Sequence, residues 1–210
     1  MDMSPTETPP DETPIMDRTA FLDYCKTHKV DPVNRLLLLS DGTLVEHLEA
    51  LYQMPVRLRL QHQREVPMPD ADADWLGVPR ACPTLERHAF LRADGAEGGN
   101  ITTNRVAGKG GSAPSERIVL FAASLFPCSS LPSALREEIV RGHLPVGKLI
   151  RDLPTRRDRL EVAYRPVPLL AEALGLSPAR CFWTRRYRLT LVSCGPGVIF
   201  EAFPPREILR

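Results

Sequence analysis

Two neighbouring stretches near the C-terminus decide the fold: Trp183-Thr184-Arg185-Arg186-Tyr187-Arg188-Leu189-Thr190-Leu191-Val192 and Val198-Ile199-Phe200-Glu201-Ala202-Phe203. Both are rich in β-branched and aromatic residues, which favour strands. Residues 193–197, between them, contain two glycines and a proline, which is typical of a tight hairpin. The sequence therefore predicts an antiparallel strand pair at the end of the chain.

Three earlier segments also have strand patterns. Residues 56–60 alternate apolar and polar side chains, and residues 85–92 fit a strand better than a helix. Residues 118–126 are almost continuously apolar, which predicts a central strand covered on both faces. Short helices are predicted between the strands, at residues 19–28, from Thr43, at residues 132–141, from Pro145 and at residues 169–174. This order predicts an α+β fold, a single antiparallel β-sheet flanked by short helices, and not a regular βαβ nucleotide-binding sheet.

Composition narrows the classes of function. The chain has 210 residues, 43% hydrophobic residues and a formal net charge of +1. It is long enough for one medium domain with a real core, and its charge gives no general attraction to nucleic acid or to anionic membranes. No apolar run approaches the roughly 20 residues of a membrane span, and the N-terminus does not resemble a signal peptide. We expect a cytoplasmic protein that binds a small molecule and neither nucleic acid nor membranes.

Two segments are expected to lie outside the packed domain. Residues 1–17 combine Pro, Thr and acidic residues with few apolar ones, which predicts a disordered tail before a single domain at residues 18–210. Residues 95–115 hold six of the 13 glycines, which predicts a flexible loop.

Cysteine and histidine give no clear chemical signal. The five cysteines are widely separated, with no C-x-x-C pair, so reduced structural thiols are expected. The five histidines show no spacing typical of a metal site, and neither a metal nor another cofactor is expected.

Glu201 is the main local anomaly, because it stands inside an apolar strand. A carboxylate there must be paired, turned to solvent, or placed for function. Strand alternation alone favours an outward, solvated position opposite Phe200 and Ala202.

Basic residues accumulate late in the chain: residues 141–210 contain 13 Lys or Arg and six acids. On the predicted strand, Arg186 and Arg188 share one face, while Arg185 and Tyr187 share the other. Such arginines can hold a carboxylate, or they can form surface ion pairs.

Five blocks, taken together and in this order, resemble the chorismate pyruvate-lyase family. They are Leu37-Leu38-Leu39-Ser40-Asp41-Gly42-Thr43-Leu44, Arg87-His88-Ala89-Phe90-Leu91, Ala123-Ser124-Leu125-Phe126-Pro127, Leu144-Pro145-Val146-Gly147-Lys148, and the run from Arg185-Arg186-Tyr187-Arg188 to Phe200-Glu201-Ala202-Phe203. The resemblance covers about residues 31–204. It implies a monomeric α+β fold shared with UTRA ligand-sensing domains, and cleavage of chorismate to 4-hydroxybenzoate and pyruvate without metal or cofactor.

The resemblance also implies roles for particular residues. The family's carboxylate-binding arginine falls on Arg87, and its acidic residue near the ring hydroxyl falls on Glu201. Its two backbone amide donors fall on Thr43 and on Val146, which is followed by Gly147. Both donors are predicted at helix starts, where free N–H groups bind carboxylates.

Some parts of the site stay open. A second cation is required for the enolpyruvyl carboxylate, and the candidates are Arg186, Arg188 and Lys148. The family's best-known members have Met and Leu where this chain has Thr43 and Val146, which leaves the substrate preference open. The alternatives are a biosynthetic paralogue that acts on another carboxylated or polyketide-like substrate, and a non-catalytic UTRA-like sensor of aromatic acids.

Overall fold

One antiparallel sheet of six strands forms the centre of the molecule. The computed structural model describes residues 12–42, 44–93, 117–192 and 194–205. The strands follow the order β1-β2-β3-β6-β5-β4 across the sheet. Their bounds are Val56–Pro67 (β1), Pro83–Ala93 (β2), Arg117–Pro127 (β3), Thr155–Pro166 (β4), Cys181–Leu191 (β5) and Gly195–Phe203 (β6).

Within the described residues, seven short helices flank this sheet. They are α1 (Arg18–Thr27), α2 (Pro32–Leu39), α3 (Leu44–Tyr52), α4 (Asp70–Leu76), α5 (Ser133–Arg141), α6 (Val146–Leu149) and α7 (Pro168–Ala173), with one 3₁₀ turn at Cys128–Ser130. Local sequence sets several of their ends. The Asp17 and Asp31 side chains accept backbone hydrogen bonds at the starts of α1 and α2, and Gly142 adopts the left-handed conformation that ends α5.

The two faces of the sheet bury different cores. On one face, α1, α2, α3 and α5 pack against inward residues such as Leu120, Phe126 and Trp183. On the other face, α7 covers a cluster around Phe121 and Phe182, and α4 packs beside Val198. The predicted α+β class with a single antiparallel sheet is therefore confirmed, as is the central position of the strand predicted at residues 118–126.

Several details differ from the sequence predictions. Residues 155–166 form β4. The sequence predicted no element there, because their many charged side chains hide the strand pattern. Residues 70–76, which lie between two predicted strands and for which no element was predicted, form α4. The final hairpin turns earlier than predicted, since β5 ends at Leu191 and β6 already begins at Gly195.

The chain also meets the sheet before Arg18, where structure was predicted to begin. The backbone of Met16 exchanges two hydrogen bonds with Val162 of β4, at 2.8 and 2.7 Å. Thr13 accepts a hydrogen bond at its side-chain oxygen from the N–H of Tyr164. The expected disordered tail is thus wrong for residues 13–16, because the edge strand offers them backbone partners. Residues 1–11 and the expected flexible loop at 95–115 lie outside the described residues.

Within the described part of the chain, no helix has the length and apolar character needed to cross a membrane.

Candidate functional site

A cavity lies between the sheet and the helices that cover its inner face. Inward side chains of all six strands line it, together with the segment before α3 and the start of α6. The space free of protein atoms, including its opening, is about 670 Å³.

Small side chains in the middle of the sheet make room for the cavity. Ala89 of β2 pairs with Ala122 of β3, and Ala122 pairs in turn with Glu201 of β6. Large residues at the two alanine positions would fill this space. The floor of the cavity is therefore apolar at its centre and bears charged side chains at its sides.

Arg87 is the buried cation of the cavity. Its side chain projects from β2, and only 2% of the residue is exposed. The Nη2 atom donates a hydrogen bond to the carbonyl oxygen of Leu144 at 3.0 Å, but Nε and Nη1 are buried without a hydrogen-bond partner among the described residues. Burial lowers the pKa of Arg87 to about 10, which still leaves it cationic at neutral pH. A buried cation with unused donors is costly unless an anion binds it.

Glu201 lies on the cavity face of β6 and is buried. Its Oε2 accepts a hydrogen bond from Nε of Arg185, its cross-strand partner on β5. Arg185 also donates from Nη1 to the carbonyl oxygens of Leu37 and Ser40, at 2.7 and 2.8 Å. The outward, solvated position favoured by strand alternation is thus wrong, because Arg185 compensates the buried carboxylate.

The start of α6 forms another wall. Pro145, Val146 and Gly147 line the cavity, as predicted for this block. The first N–H groups of a helix have no partner within the helix and are available to a ligand. Leu144, which holds Arg87, immediately precedes this wall, so the cation and the helix start are at the same end of the cavity. Thr43, the other predicted amide donor, lies outside the described residues, while its neighbours Gly42 and Leu44 line the cavity.

The three predicted candidates for the second cation do not reach the cavity. Arg186 and Arg188 project from the opposite face of the sheet, where Arg186 pairs with Asp72 and Glu161, and Arg188 pairs with Asp158. This is a correction to their predicted role in substrate binding. Its physical reason is strand alternation, since Arg185 and Tyr187 occupy the cavity face.

Lys148 is also engaged elsewhere. Its Nζ donates to Oε1 of Glu49 on α3 at 2.9 Å, and it is not among the residues that line the cavity. The same Glu49 oxygen accepts a hydrogen bond from the N–H of Val56. Lys148 therefore joins α6 to α3 and is corrected from a substrate-binding residue to a structural one.

Comparison with known proteins bears on the fold. The sequence matches no protein-family model and no curated protein. Among solved structures, PhnF from Mycobacterium smegmatis aligns with a TM-score of 0.55 and 16% identity, over 80% of this chain and 66% of that one. The effector domain of PhnF aligns with a TM-score of 0.52 and 15% identity, over 80% of this chain and 91% of that one. A GntR-family transcriptional regulator from Bacillus cereus also matches, with a TM-score of 0.48 and 11% identity over 72% and 92% of the two chains.

The fold is UTRA-like. This confirms the structural half of the sequence resemblance, since UTRA ligand-binding domains share the six-stranded antiparallel sheet with flanking helices. Identities of this size show a shared fold and leave the chorismate pyruvate-lyase activity a prediction.

Within this UTRA-like fold, sequence reasoning missed two further residues of the site. Arg157 of β4 lines the cavity and donates from Nη1 to the carbonyl oxygen of Asp41, while its buried Nε has no hydrogen-bond partner in the part of the chain that the structure describes. Tyr187 of β5 also lines the cavity, and burial raises its pKa. No pattern marked Arg157, because the strand that carries it was not assigned.

Proposed function

We propose that the protein is a chorismate pyruvate-lyase, which converts chorismate to 4-hydroxybenzoate and pyruvate in this cavity. The observation that carries the proposal is Arg87, a buried arginine that faces the cavity with two donor nitrogens that have no partner among the described residues. Such a group is complementary to a carboxylate on an otherwise apolar ligand. Three of the four residues that the sequence resemblance named, Arg87, Val146 and Glu201, line the same cavity, which supports the proposal, and the fourth, Thr43, lies outside the described residues.

In this proposal the ring carboxylate of chorismate binds at the Arg87 end of the cavity. Arg87 supplies the charge, and the N–H groups at the start of α6 supply neutral donors beside it. Arg157 takes the place of the second cation and faces the enolpyruvyl carboxylate, because its Nε is buried and unused. The two arginines thereby fix the orientation of the substrate, because each binds one of its two carboxylates.

Glu201 then lies near the ring hydroxyl. It projects from β6, two strands from the β2 position of Arg87, a spacing of roughly 10 Å that a ring with a carboxylate at one end can bridge. The reaction breaks the C4–H bond and the C3–O bond, and the electron pair of the C4–H bond completes the aromatic ring. The enolpyruvate that leaves takes up a proton and becomes pyruvate, so no external oxidant or reductant is required.

The protein is required to do little beyond orientation. Aromatisation makes the reaction favourable once the C–O bond breaks, and the remaining demands are a fixed substrate conformation and stabilisation of the leaving enolate. Arg157 meets the second demand, since a cation beside the enolpyruvyl group stabilises the negative charge that develops there.

A non-catalytic sensor of aromatic acids is the second candidate. The similarity to the effector domain of PhnF favours it, because an effector domain responds to a ligand and does not convert it. The cavity charges serve both functions equally, since a sensor also requires Arg87 to hold a carboxylate. A biosynthetic paralogue with another carboxylated substrate would use the same residues.

The deciding experiment incubates purified protein with chorismate and follows 4-hydroxybenzoate and pyruvate together. A lyase forms both products in equal amounts and faster than the spontaneous reaction. Formation of neither product refutes the lyase. Stabilisation by 4-hydroxybenzoate in a thermal-shift assay, without turnover, then identifies a sensor or a paralogue.

Variants assign the roles. Arg87→Met is expected to raise KM, because it removes the carboxylate partner, and Glu201→Gln is expected to lower kcat. Arg188→Gln, on the opposite face of the sheet, is the matched control and leaves both constants unchanged. Equal kinetics in all three variants would refute the site.

A further inference from the structure

Three potential metal ligands meet on the sheet face opposite the cavity. They are His62 of β1 and Glu86 and His88 of β2, whose ligand atoms all lie within 4.8 Å of one another. The His62 Nε2 atom lies 3.2 Å from Oε2 of Glu86, and the His88 Nε2 atom lies 3.8 Å from Oε1 of Glu86. Sequence spacing does not reveal the group, because 24 residues separate His62 from Glu86 along the chain.

The backbone of the sheet sets this arrangement. Glu86 and His88 are two residues apart on one strand and therefore share a face. His62 is the cross-strand partner of His88, so it projects from that face as well. All three ligands thus come from regular strands, which hold side chains more firmly than loops do.

A β-bulge in β1 brings His62 to this face. The pairing of β1 with β2 shifts between Leu60 and His62, so that Leu60 pairs with Ala89 and His62 pairs with His88. Simple alternation would place Leu60 and His62 on the same side of the strand. The extra residue, Gln61, reverses that relation, and bulges of this kind commonly redirect a side chain toward a site.

We propose that His62, Glu86 and His88 bind a zinc ion. Two imidazole nitrogens and one carboxylate oxygen match the donor preference of zinc, and three protein ligands leave the fourth tetrahedral position to water. The side chains are 40%, 18% and 21% exposed, so an ion reaches them from solvent without unfolding of the sheet. Zinc there links the edge strand β1 to Glu86 and His88, which are the residues immediately before and after Arg87 on β2.

One cation competes for this site. Nε of Arg64 donates to Oε2 of Glu86 at 2.7 Å, and its side chain is 66% exposed. An exposed arginine of this kind contributes little to stability and moves away at small cost. His88 is held more firmly, because its ring packs edge-on against Phe121 with centroids 5.7 Å apart.

The test is isothermal titration of the chelator-treated, full-length protein with zinc sulfate. We expect one binding site, and His62→Ala is expected to weaken zinc binding at least about tenfold. His62 is the most exposed of the three ligands, so this variant folds, which circular dichroism verifies. The exposed His143 supplies the matched control, since His143→Ala leaves zinc affinity unchanged. Arg64→Ala removes the competitor and is expected to strengthen zinc binding.

The five free cysteines are the alternative source of zinc ligands, and cobalt distinguishes them. A cobalt complex of the proposed site shows visible absorption without the sulfur-to-metal charge-transfer band that a thiolate ligand produces. Equal zinc affinity in His62→Ala and the unaltered protein overturns the proposal. So does a charge-transfer band in the cobalt complex, or weaker zinc binding in Arg64→Ala, since removal of a competitor does not weaken a site.

Discussion

Arg186 on the outer face of the sheet and Arg87 on its inner face differ in whether a carboxylate compensates their charge. On the outer face, Arg186 is held by Asp72 and Glu161 and stacks on the Trp75 ring, 4.1 Å from its centroid. On the inner face, Arg87 is more deeply buried and has no carboxylate partner among the residues that the structure describes. The outer arginine is neutralised by its own protein, whereas the inner one is not.

This difference separates arginines that stabilise the fold from an arginine that serves to bind a ligand. A buried cation without a counter-ion lowers the stability of the ligand-free protein, and only a ligand recovers that free energy. Arg185 is an intermediate case, because it lies on the inner side but is satisfied by Glu201 and two carbonyl oxygens. Stability measurements on these three arginines therefore test which charges the fold requires and which the ligand requires.

Arg185→Met is expected to have the largest effect. It leaves the Glu201 carboxylate and the carbonyl oxygens of Leu37 and Ser40 buried without their donor. We expect a loss of about 3 to 5 kcal/mol in the free energy of unfolding, measured with urea. The paired change Arg185→Met with Glu201→Leu removes both charges and is expected to recover part of that loss. A single variant as stable as the unaltered protein would contradict the role of this buried ion pair.

Arg87→Met is expected to change stability in the opposite direction. Removal of the uncompensated cation raises the free energy of unfolding of the ligand-free protein by about 1 to 3 kcal/mol. The same change weakens the binding of 4-hydroxybenzoate by about 100-fold, since a buried charge partner of the ligand is lost. Urea unfolding and calorimetric titration measure the two effects.

Arg186→Met is the matched control for that experiment. It removes a partly buried arginine of the outer face and leaves Asp72 and Glu161 without their cation, so we expect a loss of about 1 kcal/mol and unchanged ligand binding. Opposite signs for the two variants confirm the comparison. Destabilisation by both would mean that Arg87 is structural as well.

The smallest effect concerns pH and the outer face. The Arg188 guanidinium beside Asp158 lowers the pKa of that carboxyl below its ordinary value. A pKa that is lower in the folded state than in the unfolded state stabilises the fold above the ordinary aspartate pKa of about 4, and this contribution disappears as the pH falls through the folded value.

Asp158→Asn is therefore expected to reduce the difference between the free energies of unfolding at pH 7 and pH 3. The exposed Asp152 provides the control, because Asp152→Asn leaves that difference nearly unchanged. An unaltered pH dependence in Asp158→Asn would show that the Arg188 pair does not contribute.

The sequence predicted which residues line the cavity better than it predicted the charged partners of those residues. Arg87, Val146 and Gly147 were expected at the cavity, and all three line it. Glu201 was harder. Strand alternation correctly places it on the face opposite Phe200 and Ala202, but both faces of β6 are covered, so that face borders the cavity and not solvent.

Other differences have separate causes. The class of fold could be predicted because hydrophobic alternation marks the start of β1, and runs rich in apolar, β-branched and aromatic residues mark β3, β5 and β6. Arg157 could not be assigned to the cavity, because β4 is charged along most of its length. The bulge after Leu60 left no sequence signal, and the side of the sheet on which His62 lies depends on it. At this bulge a displacement of one residue in strand pairing changes which face carries the chemistry.

The contact of residues 13–16 with β4 has a consequence for solubility. An edge strand presents unpaired backbone groups that can pair with a strand of another molecule. Here Met16 occupies the N–H and carbonyl oxygen of Val162, and Thr13 occupies the backbone of Tyr164. The segment before the first helix thus covers part of the exposed edge of β4, so that a strand of a neighbouring molecule cannot pair with it there.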